Sequence, residues 1–233
     1  MTRFVVSDLT RFTHDKDHVC IAGLSLDSGE CIRPLPYLSY QQYKQMGICP
    51  GVTLSAEFWP KHPPLHPHVE DWNYKQVSVV SGFDQNSLHD VLDTTSVDTV
   101  SDGFGTHVAQ KFIPIDSNPV PTRSIITLAV EPRSFSLNID RYDKIRASFS
   151  DRANLTCHGV PVADLGISNY VMASGRRNEA AARLTAHLRA QQSLFLRVGI
   201  GRPWKTDDGR DGYWLQINGA FSFPNLHGGM ECY

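Results

Sequence analysis

The chain has 233 residues, 41% of them hydrophobic and 20% charged, with a formal net charge of −2. That is enough apolar material for one large domain or two small ones, and it excludes disorder throughout. It also excludes coating of DNA by bulk positive charge, so any nucleic-acid contact must come from a local patch.

Along the chain, strand signals dominate. Residues 4–6 and 19–24 are short apolar runs, and the polar residues 10–18 between them read as a loop. Asp27-Ser28-Gly29-Glu30 is a turn, so residues 19–33 predict a hairpin. Residues 39–46 predict a short helix, stopped by Gly47 and Pro50. Val52, Leu54, Ala56 and Phe58 alternate with Thr53, Ser55 and Glu57, the pattern of a strand buried on one face. Residues 87–92 predict a second short helix with Ser87 as its cap. The two prolines over residues 116–123, Pro119 and Pro121 in a polar context, mark the boundary between halves, giving domains 1–120 and 121–233.

Phe135, Leu137 and Ile139 alternate with polar residues, as in a half-buried strand. Residues 178–192 form the strongest helix signal. Asn178 is placed to cap it, Glu179 complements the positive helix end, and Ala181, Leu184 and Leu188 make an apolar stripe. Residues 194–200 and 214–218 again alternate, and residues 207–212 read as a hairpin turn. The fold class expected is mainly β: two small barrel-type domains packed together with a few short helices.

The start of the chain has no apolar run of signal-peptide kind, and no stretch approaches the ~20 apolar residues of a membrane span. A cytoplasmic location with no membrane partner is expected. Cys20, Cys31, Cys49, Cys157 and Cys232 are odd in number and lack C-x-x-C spacing, which fits reduced thiols. Cys20 and Cys31 lie in strand-like runs and read as small buried hydrophobes.

Three constellations could carry chemistry. Two strands end in Arg-Pro followed by an aromatic, Arg33-Pro34 with Tyr37 and Arg202-Pro203 with Trp204. Proline stops the ladder and holds the arginine extended, which suits an anionic planar ligand. The bland alternative is an arginine paired with a nearby carboxylate. The segment His62 to Trp72 carries three histidines, Glu70 and Asp71. Its prolines hold it extended, so His66 and His68 should project to the same side. No distant ligand pair is visible, and no metal or other cofactor is expected. The alternative is a surface loop in which Trp72 packs on the barrel while Glu70 and Asp71 pair with Arg33 or Arg202. Third, Trp214, Gln216 and Asn218 share one face of a late strand, where an aromatic and two amides can read a base. Polar outward alternation explains the same pattern.

No P-loop, no dinucleotide-binding glycine pattern and no G-x-S-x-G elbow occurs. Residues 207–212 lack the closing Glu of a calcium loop. No catalytic step is legible.

The N-terminal strands with Arg33-Pro34, the His68-x-Glu70-Asp71-Trp72 piece, the run from Val198 to Trp204 and the run from Trp214 to Gly219 together resemble the bacterial dual-OB-domain proteins. The resemblance implies two tandem OB-type barrels, a place in bacterial defence or conflict systems, and nucleic-acid or nucleotide sensing. It carries Arg33, Glu70, Asp71, Trp72, Arg202, Pro203, Trp214 and Gln216 as ligand or structural positions. The reading is a binding module for single-stranded nucleic acid or a nucleotide, using Arg33, Tyr37, Trp72, Arg202, Trp204, Trp214, Gln216 and Asn218. Two alternatives stay open. One is an enzyme on a nucleotide or modified base, using His66, His68, Glu70 and Asp71. The other is an adaptor that binds other proteins of a defence system.

Overall fold

The computed structural model describes residues 1–12 and 17–226. The first barrel is built from β1 (Thr2–Arg11), β2 (His18–Ser25), β3 (Cys31–Leu35), β4 (Leu38–Ser39), the helix α1 (Tyr40–Gln45), β5 (Thr53–Pro60) and β6 (Asp71–Ser81). β1 pairs with both β2 and β5, β6 lies between β5 and β3, and β3 pairs with β2. The ring therefore closes in the order β1-β2-β3-β6-β5. Every pairing around it is antiparallel except β3 with β6. This is the five-stranded Greek-key barrel of the OB type. Its interior is filled by residues such as Phe4, Leu9, Ile21, Tyr43 and Leu54. Gly23 on β2 has no room for a side chain, because a Cβ there would stand 2.2 Å from the Phe4 ring.

α2 (Gln85–Thr95), β7 (Ser96–Val97), α3 (Val100–Phe104) and β8 (Phe112–Pro114) follow. β7 pairs with a strand of the second barrel, β9 (Ile125–Val130). After a 3-10 turn at Pro132–Ser134 come β10 (Ser136–Ile139), β11 (Ile145–Ser150), β12 (Thr156–Pro161), α4 (Leu165–Ala173), α5 (Arg177–Arg189), β13 (Ser193–Ile200), β14 (Trp204–Lys205) and β15 (Asp211–Phe223).

β9 pairs with β13, β13 with β15, and β10-β11-β12 form a meander. A parallel bridge from Val162 to Ile217 ties the end of the meander to β15. β9 and β10 are one strand bent at the 3-10 turn. With that identity the second barrel has the connectivity of the first, and α4 and α5 occupy the position α1 holds there. The expected mainly β, dual-barrel class is what the chain adopts.

The barrels are fused through a shared apolar layer. Val5, Leu24, Leu88, Leu92, Phe195, Phe221 and Phe223 pack together in it. This explains why β1 is buried without interruption from Phe4 to Thr10. One face fills its own barrel and the other meets the second.

Several local expectations change. Residues 10–18 are not all loop, since β1 runs through Arg11 and β2 begins at His18; residues 13–16 lie outside the described residues. The first half of β5 is buried on both faces, not one. α1 forms as expected, closed by a capping box between Ser39 and Gln42. α2 is capped by Asp84, and Ser87 donates to that carboxylate at 2.6 Å instead of capping. α5 starts at Arg177, so Asn178 lies within the first turn. Its stripe of Ala181, Leu184 and Leu188 is buried as expected. α3 and α4 are additional.

Cys20, Cys31, Cys49 and Cys157 are free thiols, with Cys20 buried and Cys31 half-buried. Cys232 lies outside the described residues. Among the described residues no helix is long and apolar enough to cross a membrane.

Candidate functional site

The parallel pairing of β3 with β6 sets Arg33 beside Asp71. Arg33 Nε donates to Asp71 Oδ1 at 2.6 Å, and its Nη2 donates to His68 Nδ1 at 3.2 Å. Arg202 Nη2 reaches the other oxygen of Asp71 at 3.4 Å from the second barrel. One carboxylate thus draws both arginines of the Arg-Pro pairs to a single place. The side chain of Arg33 is only 10% exposed, so it does not offer the open charge that its strand-end setting predicts. Arg202 remains 51% exposed. Tyr37 lies beside this group, its ring 4.8 Å from Phe12 and its hydroxyl pushed up to about 12 by burial.

The histidine segment is not extended. It folds into a turn bridged from Leu65 to His68. His66 stays exposed while His68 is 3% exposed, so the two do not project alike. Burial, with the charges of Arg202 and Arg33, lowers the His68 pKa to about 4. It is neutral and accepts from Arg33, and its Nε2 is buried with no partner among the described residues. No group of three or more metal-binding side chains occurs among the described residues.

Glu70 has a different employment. Its Oε1 accepts from the backbone N–H groups of Ser124 and Ile125 at 2.8 and 3.0 Å, and its Oε2 from the Ser124 hydroxyl at 2.8 Å. A first-barrel carboxylate therefore clamps the start of β9. With Glu70 and Asp71 both engaged inside the protein and His68 neutral and buried, the acid–base arrangement considered for this segment is not assembled.

The largest electrostatic feature of the seam lies elsewhere. Arg197 on β13 is fully buried. It donates through Nε to Asp8 of β1 at 2.8 Å, through Nη1 to Thr127 at 2.7 Å and through Nη2 to Cys31 Sγ at 3.2 Å. Asp164 caps α4 at the same seam, accepting from Ile167 N at 2.6 Å. Burial pushes its carboxyl up to about 7, aided by the negative charge of Asp8. The one available signal for Arg197 was a charge inside the otherwise apolar run of residues 194–200.

Alternation along β6 turns Trp72 away from Asp71, into a cleft between the barrels. The cleft measures about 260 Å³ and is also lined by Glu30, Cys31, Arg123 and Arg197. Arg33 and Trp72 therefore do not share one site.

On the outer face of the second barrel the amides behave differently from expectation. Gln216 donates to Asn218 at 2.8 Å, and Asn218 is buried. A Cβ on Gly199 would stand 2.6 Å from the Asn218 amide, so that amide packs directly on β13. The pair is consumed by packing and is not free to read a base.

Trp214 stands with more company. Its ring lies 4.8 Å from Phe112, and the Arg210 guanidinium sits 4.8 Å over it. Beside it, Lys111 Nζ donates to Gly159 O at 3.0 Å. Burial lowers the Lys111 ammonium below its ordinary range, and so do the positive charges of Arg146 and Arg210. Three cations therefore lie near one aromatic surface where β8 and β12 meet β15, with Arg146 paired to Asp140 and Arg210 to Asp208, each at 2.7 Å. The turn between β10 and β11 carries Tyr142, 65% exposed with Arg141 over its ring, and β14, paired with β15, carries Trp204, 61% exposed. Lys111, Arg146 and Arg210 were not singled out from the sequence, because three distant positions carry no local pattern.

A family model described as "Dual OB-containing domain" matches residues 12–220. No curated protein matches the sequence. Among solved structures, a murine DNA-binding protein bound to double-stranded DNA is 12% identical with a TM-score of 0.32, covering 94% of this chain and 95% of that one. A replication protein A heterotrimer bound to single-stranded DNA is 10% identical with a TM-score of 0.34, covering 97% of this chain and 49% of that one. Likenesses this distant transfer neither a ligand nor a site.

Proposed function

The chain belongs to the dual OB-containing domain family, and from that premise we propose that it binds single-stranded nucleic acid across the outer face of its second barrel. The observation that carries the reading is the convergence of Lys111, Arg146 and Arg210 on the Phe112–Trp214 pair. Proteins that hold single strands combine a cationic track with aromatic platforms, and OB barrels do so on a strand face. Phosphates meet the three cations and Arg202. Bases stack on Trp204 and on the Arg210–Trp214 layer. Each stacked base contributes roughly 1–3 kcal/mol, so two platforms give modest affinity.

The test is fluorescence anisotropy with a labelled oligothymidylate over a salt series. Arg210→Glu and Lys111→Glu each weaken binding. Each lost phosphate contact lowers the slope of log K against log salt by about 0.7. No binding of the unaltered chain at low salt, or an unchanged slope in both variants, overturns the proposal. The family resemblance further supports a cytoplasmic role in a bacterial defence system alongside other proteins. Loss of phage protection on deletion of the gene is the corresponding measurement.

A further inference from the structure

β6 pairs with β5 along nearly its whole length, from Trp72 opposite Pro60 to Ser81 opposite Thr53. On its other edge it meets β3 only from Asp71 to Asn73. From Tyr74 onward that second edge has no partner strand among the described residues. The equivalent strand of the second barrel, β15, is buried from Ile217 to Phe223, where the first barrel packs against it. The late half of β6 has no such cover. Residues 78–83 are all exposed, with Val79 at 39%, Val80 at 52% and Phe83 at 43%. Val80 falls in a bulge, opposite no residue of β5. An open edge offers unpaired backbone groups to a further strand, and proteins often blunt it with lysine or proline. Residues 76–83 carry neither, and no charge of either sign.

The order of residues along this edge selects its occupant. Ser78-Val79-Val80-Ser81 reads the same in both directions. We infer that two copies of the chain associate through it, β6 beside β6, antiparallel about a two-fold axis between Val79 and Val80. Val79 then faces Val80 of the partner subunit, and Ser78 faces Ser81 of the partner subunit. The same register carries Lys75 opposite Asp84 of the partner subunit, because Asp84 is still extended where it caps α2. Each contact occurs twice, as a two-fold interface requires, and each end closes on opposite charges. Pairs of β-branched residues and of opposite charges stabilise adjacent strands. An uncharged centre gives an acidic or basic segment of another protein nothing to select. The stretch 75–84 is shorter than the roughly 20–30 residues a side of a standard interface, so the dimer dissociates on dilution. The edge belongs to the first barrel, apart from Lys111, Arg146 and Arg210 on the second.

Sedimentation velocity on the full chain across a concentration series tests it. The sedimenting mass rises from the 26.0 kDa of one chain toward twice that value. Hydrogen exchange at the amides of residues 74–83 slows over the same range and quickens again on dilution. Val80→Lys brings two ammonium groups together beside the axis and abolishes the dimer, with melting curves confirming that the variant is folded. Lys75→Glu sets like charges opposite each other at both ends and weakens association about tenfold. Met172→Lys, at an exposed apolar position on α4 of the second barrel, leaves the dimer intact. A chain that stays monomeric throughout leaves the edge to a strand of some other protein and overturns the inference. A dimer that survives Val80→Lys, or is unmoved by Lys75→Glu, is built on another surface and overturns it equally. Failure of strand binding in the anisotropy series leaves this result untouched.

Discussion

Replacing Asp8 by alanine should cost about 3–5 kcal/mol of stability, the range for stranding one partner of a buried ion pair. Both side chains of the Asp8–Arg197 pair are 1% exposed, so water cannot replace the lost carboxylate. Arg197 would retain only Thr127 and Cys31 as acceptors. Those two contacts place the expected cost toward the lower end of the range. Arg197→Met leaves the opposite defect, a buried Asp8 with the Ser7 hydroxyl as its remaining donor at 2.6 Å. The two charges removed together leave no stranded ion, and apolar substitutes for buried pairs are often neutral or better. The double variant should therefore recover most of what either single variant loses. Urea unfolding followed by circular dichroism measures all four corners of the cycle. A double variant whose loss equals the sum of the singles would show that the pair is uncoupled, and the reasoning would fail.

Two pH-dependent effects follow from the same seam. His68 titrates near 6.5 unfolded and near about 4 folded, so its contribution is full above 6.5 and is lost as pH falls toward 4, with a ceiling of roughly 3 kcal/mol. His68→Asn, which keeps an acceptor for Arg33, should flatten that part of the stability–pH curve; an unaltered curve refutes it. Asp164 shifts the opposite way, from 3.8 to about 7, so stability falls as pH rises between those values, by at most roughly 4 kcal/mol. Asp164→Asn keeps a capping oxygen and should stabilise the protein at pH 8 but not at pH 4, as denaturant midpoints at the two values will show.

The architecture was legible because the turns and period-2 runs survive in the sequence. The hairpin of β2 and β3, the capped α1 and the apolar stripe of α5 all carry local signals. The length of β1 was hidden by Ser7, Asp8 and Thr10, polar residues that face the seam and break the apolar run. α4 was hidden for the opposite reason. It is buried on several sides, with Leu165, Gly166, Ile167, Ser168 and Val171 all covered, so no narrow stripe marks it. The Arg-Pro recurrence was visible, but its meaning was not. Arg33 lies in the middle of the third strand of one barrel, which runs on through Pro34 to Leu35 instead of ending there, and Arg202 follows the fourth strand of the other. They converge because both reach Asp71, a tertiary fact that no spacing encodes. The cationic surface drew on residues about 100 positions apart, which only closure of the barrel brings together.

The overall charge was also a poor guide to the surface, and the seam explains why. Among the described residues, Asp8, Glu70, Asp71, Asp151 and Asp164 are buried, against two buried guanidiniums, Arg33 and Arg197. The interior thus withdraws three negative formal charges net, more than the whole chain's balance of −2. What solvent meets is close to neutral, and a few exposed cations suffice to make one face positive. The carboxylates that fix one barrel on the other therefore leave the surface near balance, where Arg146 is paired with Asp140 and Arg210 with Asp208, each at 2.7 Å, while Lys111 makes no ion pair among the described residues. Because fields from exposed charges are screened within roughly 8–10 Å, that local face governs an approaching polyanion and the net charge does not.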